Sequence, residues 1–336
     1  MRRFVLIGIP LIVIGGAGGY LYYWSVLAEG LQRGFQSWVE QRRSEGVEVG
    51  HGVVEVTGFP YRLELHIPAP MLSAPKLTAA PAWSADKLTL YFQTWEKGHG
   101  IASIEGVQKF AWTEGTVRRN AGLSTERTLA SFRFTDRGEI TRLDTDMHKV
   151  AITGSVVLRS AERLQGRGEW RTMESGDRAF DLKLRGESLK VDPEASPLGE
   201  AIDLADLAVE AEPLPASVAP EDLDAWRDAG GVLQISRLDI RTGQLSVSGD
   251  GTFALDAERR PEGAAALTVR GADAFVDAVA AAGQLGSGAR LGLRLAIAAL
   301  EETDSEGQQF FRVPIALQEG RLKILGVGLS RVEPLY

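Results

Sequence analysis

Apolar residues alternate with polar ones along most of this chain, and the main exception is its start. Phe4 to Trp24, FVLIGIPLIVIGGAGGYLYYW, is an uncharged run. A hydrocarbon core about 30 Å thick is crossed by roughly 20 helical residues, so this run predicts a transmembrane helix. Leu27, Leu31, Phe35 and Trp38 then recur at helical spacing. They predict that the helix continues through Arg43, with one apolar stripe packed on the first strands and Gly46 as its stop.

From Val53 the period becomes two. Val54 and Val56 lie on one face, and Phe59, Tyr61, Leu63, Leu65 and Ile67 follow on the other parity. The parity changes at Gly58-Phe59-Pro60, where glycine permits a bulge and proline lacks a ladder donor. Further strands are predicted at 88–92, 101–104, 110–112, 130–134, 150–158, 180–184 and 189–191. Short turns rich in Gly, Asp, Asn and Ser separate them, as in consecutive antiparallel hairpins.

Pro193 to Pro220 holds five prolines among acidic and small residues, the pattern of a connection between two halves. Pro220 suits a first helical position, with Leu223 and Trp226 inward and Gly230-Gly231 as the stop. Strands resume at 232–235, 238–240, 245–247, 253–255 and 266–269. Helices are predicted at Asp273–Leu285 and Gly288–Glu302, then strands at 311–317 and 322–325.

The resulting fold class is mainly β (α+β): an N-terminal transmembrane helix, then long curved antiparallel sheets in two halves with a few covering helices. Residues 1–24 form the anchor, 25–46 a juxtamembrane helix and 47–192 the first β-rich half. Residues 193–231 form the proline-rich connection and short helix, and 232–336 the second half with two helices. Gly154-Ser-Val-Val-Leu158 and Gly251-Thr-Phe-Ala-Leu255 are a weak internal echo of one another.

Charge gives the run a direction. Arg2 and Arg3 precede it and no basic residue follows closely, which predicts a cytoplasmic N-terminus and an exported body. A cleaved secretory signal, with its apolar region at Phe4–Ile14 and small residues at Gly15–Gly19, is the alternative. Tyr20, Tyr22, Tyr23 and Trp24 fall at the far end of the run, where aromatic rings favour the membrane–water interface. The net charge of −8, without a concentrated basic patch, argues against nucleic acid as a partner. The chain has no cysteine, which excludes disulfides, thiolate metal sites and thiol nucleophiles.

Candidate chemistry is sparse. His51, His66, His99 and His148 form no metal-ligand spacing, and there is no nucleophile elbow. Asp144 and Asp146 share a strand face and would need a third ligand to hold a cation. The sequence therefore predicts no catalytic, cofactor-binding or metal-binding residue, and a chain that is not an enzyme. An apolar sheet face must be covered, closed on itself or offered to a ligand. If a groove stays open, the candidates to line it are Phe59, Tyr61, Leu63, Leu65, Ile67, Phe132 and Phe134.

Several local patterns resemble one bacterial envelope family. They are Gly58-Phe59-Pro60-Tyr61-Arg62-Leu63 after a membrane segment and a Trp-bearing helix, and Trp83 after a proline-rich stretch. Ser248-Gly249-Asp250-Gly251-Thr252-Phe253-Ala254-Leu255-Asp256, Pro261-Glu262-Gly263 and Gly320-Arg321-Leu322-Lys323-Ile324-Leu325-Gly326 complete the set, with Pro334-Leu335 near the end. Together these resemble the family catalogued as domain of unknown function 2125. Gly328-Leu329-Ser330 departs from it, standing where a more proline-rich finish is expected.

That family carries no established activity. Its strand pattern is similar to that of AsmA-like and bridge-like envelope proteins, whose long sheets carry lipids. The resemblance implies a single-pass protein of the bacterial inner membrane with a periplasmic body that binds or transfers membrane lipid in envelope maintenance. A structural or adaptor protein docking on another envelope complex is the alternative, and a hydrolase with an unrecognised site the third.

Overall fold

The computed structural model describes residues 2–77, 79–96, 98–154, 156–196, 198–217, 219–283, 287–324 and 327–335. The chain divides into two compact units. Unit 1 comprises residues 1–139 and 153–155, and unit 2 comprises residues 140–152 and 156–336. The boundary therefore falls near residue 140, not within the proline-rich stretch at 193–231. That stretch is no linker, because a twelve-residue strand lies inside it with both edges hydrogen-bonded to neighbours. Its prolines flank the strand.

Unit 1 opens with helix α1 (Arg2–Ser44). Gly46, at φ +89°, then turns the chain back, its N–H donating to the Arg43 carbonyl. The side chains of residues 2–14, half of the expected anchor, lie outside the described ones. Among the described residues no helix is long and apolar enough to cross a membrane. The strands that follow are β1 (Glu48–Gly50), β2 (Glu55–Thr57), β3 (Arg62–Pro68), β4 (Met71–Ser73), β5 (Ala82–Ser84), β6 (Lys87–Gln93), β7 (His99–Glu105), β8 (Gln108–Glu114), β9 (Val117–Ser124) and β10 (Arg127–Phe134).

All of their pairings are antiparallel, in the orders β2-β3-β6-β7-β10 and β1-β4-β5-β8-β9. The alternation from Leu63 to Ile67 is that of a core strand, with Leu65 only 1% exposed. The buried side of α1 runs through Ala28 and Val39, with Leu27, Leu31 and Phe35 partly covered. Trp38, expected in that stripe, is 41% exposed and stacks on Phe35.

Unit 2 is a meander. Its strands are β11 (Ile140–Gly154, the last residues of which belong to unit 1), β12 (Leu158–Thr172), β13 (Arg178–Val191), β14 (Ala201–Glu212), β15 (Val232–Thr242), β16 (Leu245–Leu255) and β17 (Pro261–Arg270). After them come β18 (Glu302–Thr303), β19 (Gln309–Gln318), β20 (Arg321–Ile324) and β21 (Val327–Arg331). Consecutive strands from β11 to β17 pair antiparallel, β17 then pairs with β19, and β20 and β21 continue the sheet, while the short β18 pairs with β19. The strand expected at 150–158 is two strands, because the chain turns after Gly154 at φ +98°.

Three helices accompany this sheet: α2 (Pro220–Asp228), α3 (Ala272–Gly283) and α4 (Ser287–Ala298). The helix expected at Gly288–Glu302 is α4, which ends at Ala298 before Glu302 enters β18. Leu285 and Leu325, placed at element ends by the sequence, lie outside the described residues. Trp226 of α2 lies over Gly231 and donates its indole N–H to the Pro213 carbonyl, and no residue of this short helix is fully buried. Helices α3 and α4 pack Phe275, Val276 and Ile297 onto Val247, Val269, Phe311 and Val313, which makes the core of unit 2.

Candidate functional site

Cross-strand register turns the alternation of unit 2 into rows. One row runs Met147, Leu164, Gly186, Ala205, Ile240, Val247, Val269, Phe311 across eight strands. The neighbouring row on the same face runs Thr145, Gly166, Leu184, Leu207, Leu238, Gly249, Leu267, Val313. The two rows meet different fates at their two ends. Under α3 and α4, Val269 and Val313 are 0% exposed and Phe311 is 1% exposed. Across β11 to β15 the same rows line an open trough of about 450 Å³, and Leu184 there keeps 43% of its surface exposed.

The trough floor is low where glycine replaces a side chain. A Cβ on Gly186 would lie 2.7 Å from the Leu189 side chain, and one on Gly166 would lie 2.8 Å from the Thr145 hydroxyl. Leu158, Leu164, Leu184, Leu207, Leu238 and Ile240 form the apolar lining. Four inter-strand spacings of about 4.8 Å separate β11 from β15, so the lined path is about 19 Å long. A cavity of this volume and lining falls in the range of small-molecule sites.

The opposite face of these strands is charged and self-neutralising. Arg163 makes a bidentate pair with Asp146 at 2.8 and 3.1 Å, and His148 Nε2 lies 3.2 Å from the same carboxylate. Hydrogen bonds from Arg163 hold the Asp146 carboxyl below the usual carboxylate range, against a smaller opposing effect of burial. At Asp144 burial pushes the pKa up, but hydrogen bonds from Arg142 and Arg167 outweigh it and the net shift is downward. Arg171 bridges Asp181 and Glu212, which raises its own pKa further. The Asp144–Asp146 pair considered for a cation is thus occupied by arginines. Among the described residues no cluster of three or more His, Asp or Glu is arranged to hold a metal.

The sequence placed the apolar lining in unit 1, and those residues separate there. Leu63, Leu65 and Ile67 are 6%, 1% and 3% exposed and form core. Phe132 and Phe134 stack on one another and both meet Phe92 edge-on. Phe59 and Tyr61 are exposed, and Phe59 packs edge-on against Trp24 of α1. The missed signal lay in β14, where Ala205, Leu207 and Val209 alternate with Asp206, Ala208 and Glu210.

The four histidines are all engaged. His51 contacts the Gly52 carbonyl and the Phe35 ring, while His66 lies between the hydroxyls of Thr57 and Thr89. His99 Nε2 lies 2.9 Å from the Ser131 hydroxyl, and its Nδ1 lies 3.3 Å from Glu96.

Residues 24–332 match the family described as "Uncharacterized protein conserved in bacteria (DUF2125)". The chain belongs to this family. The match begins at Trp24, the last residue of the uncharged run, and takes in most of both units and the whole trough. No curated protein and no solved structure matches the chain.

Proposed function

We propose that this protein is anchored in the bacterial inner membrane and that its periplasmic body holds the acyl chain of a lipid in the trough of unit 2. The observation that carries the reading is the pair of apolar rows left open across β11 to β15, lined almost wholly by carbon. Desolvation of each CH₂ contributes about 0.8 kcal/mol, so a site with few polar groups suits a long hydrocarbon chain. Membrane attachment is supported by the uncharged stretch from Phe4 to Trp24 and the arginines before it. The resemblance of the sequence's strand pattern to AsmA-like and bridge-like proteins implies the same role.

The test is native mass spectrometry of the full chain taken from membranes and stripped of detergent. A lipid adduct retained by the wild type, and missing when the trough is made polar, is the expected result. A protein that stays empty and extracts no labelled lipid from vesicles removes the proposal.

A second reading, hydrolysis, has one observation in its favour. Ser131, His99 and Glu96 stand in the order nucleophile, base and orienting carboxylate. The serine lies on the polar face of its sheet, with Arg133 and the half-exposed Ile101 as neighbours, so it lacks the enclosure an acyl-transfer site uses. An ester substrate panel compared between wild type and Ser131→Ala decides it: turnover lost in the variant supports hydrolysis, and equal background in both dismisses it.

A further inference from the structure

One end of unit 1 carries a concentration of aromatic rings that stay about half exposed or more. Tyr22 is 72% and Tyr23 46% exposed on α1, Phe59 48% and Tyr61 74% on the β2–β3 turn, and Trp95 68% on the β6–β7 loop. Single exposed apolar residues are ordinary, but five large rings from three separate elements at one level are not.

Hydrogen bonds set that level. Tyr20 donates its hydroxyl to the Pro60 carbonyl, the Trp24 indole N–H donates to the Arg62 carbonyl at 3.1 Å, and the Tyr23 hydroxyl donates to the Thr94 carbonyl at 3.3 Å. Two turns of the body are thereby fastened to the helix between residues 20 and 24. Those residues are also where the uncharged run ends. A helix that starts its crossing near Phe4 rises about 30 Å by Trp24, at 1.5 Å per residue, and so leaves the hydrocarbon there.

We propose that this rim, with Phe59, Tyr61 and Trp95 from the body and Tyr22 and Tyr23 from the helix, seats in the headgroup layer of a phospholipid bilayer. Rings with an apolar body and a polar edge favour that layer. The seat makes a two-part attachment, in which the helix supplies the anchorage and the turns fix the body's orientation on the surface. It rests on the anchored reading above.

The chain has no cysteine, so one introduced thiol can be labelled uniquely. Full-length Tyr61→Cys, Trp95→Cys and Val107→Cys each carry a fluorophore in phosphatidylethanolamine–phosphatidylglycerol vesicles, with and without headgroup-proximal nitroxide lipid. Val107 is also an exposed apolar residue, 43% exposed, but it follows the far end of β7. Quenching several-fold stronger at 61 and 95 than at 107 is expected. Equal, weak quenching at all three sites, in protein that floats with the vesicles after carbonate washing, overturns the seat and leaves the anchor standing. Protein that fails to float overturns both. Quenching that follows protein density and not nitroxide lipid assigns the rim to a second copy of the chain and overturns the bilayer as its occupant.

Discussion

Leu184 of β13 stands directly opposite Leu207 of β14 on the open face of unit 2, the former 43% exposed and both lining the trough. This pair lies midway between the charged β11–β12 ladder and the helix-covered end. Since Leu184 already meets solvent, Leu184→Glu should change stability by only about 0.5 kcal/mol. An acyl chain laid across it would have to bury a carboxylate, so lipid affinity should fall by tenfold or more, about 1.4 kcal/mol. Displacement of a fluorescent fatty acid, read beside thermal unfolding, checks both halves. Unchanged affinity in a folded variant would exclude this face as the binding surface.

At the other end of the same rows burial is complete, and the cost of truncation should be large. Phe311 is 1% exposed and meets Phe275 edge-on with ring centroids 5.4 Å apart. Phe311→Ala should therefore cost about 3–5 kcal/mol, from lost transfer energy and the cavity left behind. At about 2–4 °C per kcal/mol for a unit of this size, calorimetry should show the unit 2 transition clearly lowered.

The charged face predicts an acid limb. Asp146 has its pKa lowered in the folded state by Arg163, so the folded protein binds its proton less readily than the unfolded chain. By linkage, the associated stability is fully present above the unfolded value of about 3.9 and is lost as pH falls through the lower folded value. Urea unfolding should show stability falling as pH drops through and below about 4. Asp146→Asn should start less stable at neutral pH and lose less on acidification. A parallel acid limb in wild type and variant would mean the pair contributes nothing.

Much of this architecture was legible in the sequence and some was not, for identifiable reasons. Period-two alternation located β3, β6, β10 and β13, and Pro220 with Gly230 bounded α2. Proline misled where it flanks a strand instead of interrupting it: the prolines around residues 193–220 hid β14, and with it the part of the trough lined by Ala205 and Leu207. The lining itself was assigned to the strand with the cleanest alternation, Leu63 to Ile67. Clean alternation reports that one face is apolar, but not whether another element covers it. Leu65 and Leu184 look alike in sequence, and only the packing of neighbouring strands and helices separates 1% from 43% exposure.

Two glycines on that same face give the last prediction, because the rows treat them oppositely. A Cβ on Gly166 meets only the tip of Thr145, at 2.8 Å, and then the Leu184 side chain at 3.6 Å, both of which can move. A Cβ on Gly249 would lie 2.2 Å from the Ala266 carbonyl, which is backbone held in the β16–β17 ladder. Gly166→Leu should therefore fold and fill the trough from its floor, abolishing lipid uptake by volume without introducing charge. Gly249→Ala should instead shift the ladder and destabilise unit 2, by about 1–3 kcal/mol for a clash of this kind. Binding and unfolding measured on both variants separate shape from polarity. If Gly166→Leu folds yet still takes up lipid, the ligand does not lie in this trough.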